Sequence, residues 1–251
     1  MRMMRSTNPT LSNDVFNTRA TTGETMSFSG VFNKGMILFA LMMMTFIYTW
    51  NQTLGALENG MGGQLSPFVM IGLIGGLIAA MVTIFKPTWA MFTAPIYALF
   101  EGLLLGSVSA MYEFQFQGLV FNAVTITFGA FITLFFLYRW GLVRATGTFK
   151  KIIMTAMGAI FLVYMVGFVM SFFGASIPLI HGNGPVGIGF SLVVVCIAAF
   201  SLILDFDFIE RSVNQGAPKY LEWYASFSLM VTLIWLYMEV LRLLSKLNSR
   251  D

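Results

Sequence analysis

Seven apolar runs divide this chain, near residues 35–50, 67–85, 89–112, 119–139, 152–175, 185–209 and 222–244. About 20 apolar residues in a helix cross the hydrocarbon core of a bilayer, so each run is read as a span, the first being the shortest. Composition leaves little alternative. Hydrophobic residues make up 57% of the chain and charged residues 10%, where a soluble domain carries about 25% charged residues. A mean hydropathy of +0.80 over the whole length cannot be hidden in one core. The expected fold is all-α: a polytopic membrane protein, a seven-transmembrane-helix bundle with short loops and no soluble domain. Residues 1–34 are expected to form a flexible polar cytosolic tail, 35–245 the membrane domain and 246–251 a short C-terminal tail.

Charge distribution orients the bundle. Eleven of the fourteen basic residues fall in the N-terminal segment and in the second, fourth and sixth loops: Arg2, Arg5, Arg19, Lys34, Lys86, Arg139, Arg144, Lys150, Lys151, Arg211 and Lys219. The first, third and fifth loops carry none, and two of them carry an acid, Glu58 and Glu113. Basic loops stay cytosolic, which places the N-terminus in the cytosol. Seven crossings then put Arg242, Lys246 and Arg250 on the far side, against the rule. The first run, "KGMILFALMMMTFIYTW", closes on Tyr48 and Trp50, residues suited to a membrane interface. No apolar stretch near the N-terminus reads as a cleaved signal peptide.

Several chemistries are excluded by counting. The chain has one cysteine, Cys196, and one histidine, His181, so an internal disulfide, a thiolate cluster and a multi-histidine site are out of reach. "HGNGPVG" around His181 reads as a loop before a helix that starts near Pro185, not as a phosphate-binding motif. No nucleophile–base pair appears at membrane depth, so an enzyme is not expected, and neither is a nucleic-acid partner or a cofactor. The expected partner is the lipid bilayer; no protein partner can be named. Gly72 and Gly76, then Gly102 and Gly106, stand at GxxxG spacing, which favours close helix packing. Pro87 reads as a break between the second and third spans.

The acids at membrane depth need an account, because a carboxylate there is costly and marks a site by default. Four qualify: Glu101, Asp205, Asp207 and Glu239. Asp207 has Arg211 at i+4, and a solvated helix end explains it. Glu239 has Arg242 at i+3, so a local ion pair competes with a functional role. Glu101 lies about midway along its span, where a buried structural hydrogen bond competes with function. Asp205 has no base within reach on its own helix and is the strongest functional candidate, as well as the one candidate for holding a metal. Asp205 and Asp207, two residues apart, point to roughly opposite faces of a helix and cannot act side by side.

These features resemble the Bax inhibitor (transmembrane Bax inhibitor motif, YccA-like) family. The likeness is carried by "LDFDFIE" at the end of the sixth span, "LYMEVLRLL" in the last, "EGLLLG" in the third and "ITFGAFITLFFLYRWG" in the fourth. The polar N-terminus and "EWYASFSLMVTLIWLYMEVLRLL" are similar to a bacterial branch, which implies an inner (plasma) membrane location. The resemblance implies a calcium-permeable leak gated by pH through two acids that share a proton. One matches Asp205 of Asp205-Phe-Asp-Phe-Ile209, the other Glu239 of Leu236-Tyr237-Met238-Glu239, with Glu for the family's Asp. Ca2+ enters as permeant ion, with protons as the controlling ligand. Members are also linked to control of membrane proteases and cell stress, so a non-conducting regulator is the alternative. A last span starting near Glu222 puts Glu239 about 25 Å along it, which leaves open whether Asp205 and Glu239 meet.

Overall fold

The computed structural model describes residues 23–60, 67–173, 182 and 184–249. Seven helices are long and apolar enough to cross a membrane, and the fold is all-α, as the sequence predicts. They are α1 (Phe28–Glu58), α2 (Pro67–Phe85), α3 (Ala90–Gln115), α4 (Leu119–Arg139), α5 (Gly147–Phe172), α6 (Pro185–Asn214) and α7 (Leu221–Asn248). A single 3-10 turn, Pro87–Trp89, separates α2 from α3, the break expected at Pro87. The helix after the fifth loop begins at Pro185.

Helix ends differ most from the sequence reading at the two termini. α1 starts at Phe28, inside the stretch read as tail, because the Ser27 hydroxyl accepts from Gly30 N at 3.0 Å and caps the helix before its apolar run begins. α7 continues through Lys246 to Asn248, where a tail is expected. Residues 1–22, His181 and Arg250 lie outside the described residues, and with them the first 22 residues of the expected flexible tail.

The chain divides into two compact units, Met1–Gln117 with Phe208–Val231, and Gly118–Asp207 with Thr232–Asp251. In the first unit α3 is packed by α1 and α2 through small residues. A Cβ on Gly102 would collide with Met42 O and Thr45 Oγ1, and one on Gly106 with Phe46 O and Thr49 Oγ1. A Cβ on Gly72 of α2 would sit 2.7 Å from Leu104 N and Phe100 O. Hydroxyls fill the same seam: Thr45 Oγ1 donates to Leu99 O at 2.9 Å, and Thr53 Oγ1 to Ser107 Oγ at 3.3 Å. Backbones this close gain dispersion and polar contacts that lipid cannot replace.

The second unit packs differently. The Phe206 ring of α6 lies 5.6 Å from Phe131, 5.6 Å from Phe135 and 6.0 Å from Tyr138 of α4. Phe149 and Tyr164 of α5 meet Phe200 and Phe190 of α6. Cys196 on α6 is exposed on the helix surface.

Candidate functional site

The sequence places Asp205 and Asp207 in the C-terminal half of α6, and both are withdrawn from solvent. Asp205 is 4% exposed, and its Oδ2 is fully enclosed. Its neighbour Asp207 forms an ion pair with Lys150 of α5, the Lys and Asp side chains being 22% and 13% exposed. Lys150 is a partner that helical spacing did not suggest, since i+4 logic looks only along α6. Among the described residues no group of three or more His, Cys, Asp or Glu could hold a metal ion.

Glu239 is buried at 2% exposed. Arg242 Nη1 donates to its Oε1 at 2.9 Å and its Oε2 at 3.0 Å, and the Tyr164 hydroxyl donates to Oε1 at 2.9 Å. Arg242 also reaches Tyr164 Oη at 2.7 Å and lies 5.2 Å from its ring centroid. The i+3 ion pair is therefore present, with α5 supplying a third member. One turn on, Lys246 is 4% exposed and donates to Gly187 O at 3.1 Å and Ser191 Oγ at 2.8 Å. Two of the three bases that contradict the charge rule, Arg242 and Lys246, are thus engaged inside the unit. They do not act as loop charges, and loop charges are what the rule counts.

Glu101 of α3 is half-buried. Tyr97, one turn earlier, hydrogen-bonds its carboxyl, and Gly76 of α2 lets Oε2 approach, a Cβ there standing 3.2 Å away. Burial beside a hydroxyl and a glycine is the arrangement of a structural hydrogen bond, with the tyrosine itself fixed edge-on to Phe227 at 4.9 Å.

A further acid escaped the sequence reading. Glu222, in the first turn of α7, is 1% exposed. Its Oε1 accepts from Ser27 N at 2.9 Å and Ser27 Oγ at 3.1 Å, and its Oε2 pairs with Lys34. Lys34 also lies 5.7 Å from the Trp223 ring centroid. An acid in a first helical turn reads as ordinary dipole compensation, and its partners are distant in sequence. The signal that was available is Ser27 directly before an apolar run, a helix-start signature. Outside the spans, the hydrogen bond from Lys219 to Glu24 holds the lysine ammonium above its usual range.

Seven apolar helices among the described residues, with buried carboxylates concentrated on the last two, define an integral membrane protein. The family model for "Bax inhibitor 1 like" proteins matches residues 8–249, and the chain belongs to that family. No curated protein and no solved structure matches it.

Proposed function

We propose that this protein is a pH-sensitive, calcium-permeable leak pathway in which Asp205 is the controlling carboxyl. The observation that supports this most is an acid 4% exposed at membrane depth on α6, beside an acid that already holds a lysine. Burial disfavours the charged form of a carboxyl. Ionised, Asp205 would offer carboxylate oxygens inside the protein, and a hard cation such as Ca2+ prefers such oxygen donors. Raising the pH therefore opens the path and lowering it closes the path.

The family resemblance implies two acids sharing one proton. Here Glu239 has its charge balanced by Arg242 and accepts a hydrogen bond from Tyr164, so the proposal rests on Asp205 rather than on a shared pair. The bases Arg242 and Lys246 being engaged internally also supports an N-terminus in the cytosol, since the remaining basic loops lie on that side.

The test is calcium efflux from proteoliposomes holding Asp205→Asn. The wild type should leak faster as the pH rises, and the variant should lose that dependence. Unchanged flux and pH response would remove Asp205 from the mechanism. The balanced charge on Glu239 favours a second reading, a non-conducting membrane regulator. Folded wild-type protein in liposomes that stay calcium-tight at every pH would select it.

A further inference from the structure

We infer that Glu24–Lys34 is a lock on the α6–α7 turn, closed where the Glu222 carboxylate enters the start of α1, and that the lock releases when the path opens. The coupling to opening rests on the leak reading above; the lock itself does not.

The turn is built to be held. Two residues past the end of α6, Gly216 has φ 68, in the left-handed region that glycine adopts without strain. Ala217 N donates to Ser212 O at 3.1 Å and Gly216 N to Val213 O at 3.0 Å, so the helix end satisfies its own carbonyls. The outward groups of the turn are then met by the segment before α1. Met26 N donates to Ala217 O at 2.7 Å, Lys219 N donates to Glu24 O at 3.0 Å, and Thr25 faces Pro218 in an antiparallel bridge. Beneath this, Met26, Val31, Leu221, Tyr224 and Ala225 form one apolar cluster with Ile209 and Ala217.

Glu222 closes the arrangement. Its carboxylate sits at the N-terminal end of a helix of 31 residues, where the free backbone N–H groups and the helix dipole favour negative charge. Ser27 serves twice, capping α1 through Gly30 N and donating to Glu222. Gly30 leaves room for this approach, because a Cβ there would displace the carboxylate from its present place. One turn along α7, Ser226 Oγ donates to Val31 O at 2.7 Å. A buried ion pair of this kind is close to all-or-none, since removing one partner strands the other charge. Asp205 and Asp207 lie on the helix that runs into this turn.

Hydrogen exchange of the full chain in detergent reads the lock directly. Gly30→Ala inserts a methyl group where the carboxylate lies, although Ala is the better helix former. Exchange at the Met26 and Lys219 amides should rise about a hundredfold, as it should in Lys34→Met. Unchanged exchange at both amides in both folded variants would overturn the lock. The coupling is read by calcium efflux from Thr25→Cys, Pro218→Cys protein carrying Cys196→Ser. Oxidation should slow the efflux and reduction restore it. Full leak with the disulfide formed would overturn the coupling. Wild-type liposomes that never leak would defeat the leak reading, and the coupling with it, while the exchange result still judges the lock.

Discussion

The seam between α1 and α3 and the seam between α4 and α6 solve the same problem with opposite materials. In the first, glycine and threonine bring backbones together until no side chain fits between them. In the second, the Phe131 and Phe135 rings of α4 meet Phe206 of α6, one tilted and one edge-on. A glycine seam has little that can give way, because the obstructing atoms include backbone carbonyls of the facing helix. A ring cluster can repack, because rings tilt and slide at modest cost. The difference teaches that tolerance to substitution in this protein depends on what fills the gap more than on depth in the bilayer.

Four substitutions sharpen or break that contrast, each read as unfolding free energy of the detergent-solubilised chain. Gly106→Val should cost the most, about 3 kcal/mol, since its branches meet Phe46 O and Thr49 Oγ1. A cost near zero would mean that α1 and α3 are not packed so closely. Arg242→Met leaves the buried Glu239 with Tyr164 alone. Its cost should be about 2 kcal/mol, below that of a fully buried pair because the Arg side chain is 33% exposed. Phe206→Leu, in the ring cluster, should cost about 1 kcal/mol; a loss as large as that of Gly106→Val would erase the distinction between the seams. Phe121→Leu, at a ring 74% exposed, should change stability by less than about 0.5 kcal/mol.

The sequence made the glycine seam legible in part. Spacing of Gly102 and Gly106 announced a close contact, but not that Thr45 and Thr49 of α1 would be what they contact. Hydropathy located all seven spans and misjudged the ends of the first and last, because a cap at Ser27 and an internal role for Lys246 are decided by partners far along the chain. Hydropathy also fails to rank enclosure. α7 is the less apolar of the pair α7 and α5, yet much more of it is buried.

The acids show the same limit. Asp205 could be singled out because no base lies within a helical turn of it. The pairing of Asp207 with Lys150 joins residues 57 apart in sequence, and that of Glu222 with Lys34 joins residues 188 apart. Neither leaves a local trace. Arg242 with Glu239 was legible because both sit on one helix, whereas Tyr164, their third member, comes from α5 and could not be anticipated.

The solitary thiol at Cys196 gives the molecule a native reporter. A nitroxide or fluorophore attached there would need no engineered residue, and its signal would come from one address on α6. It would record how the surroundings of that stretch of helix change with calcium or acidity.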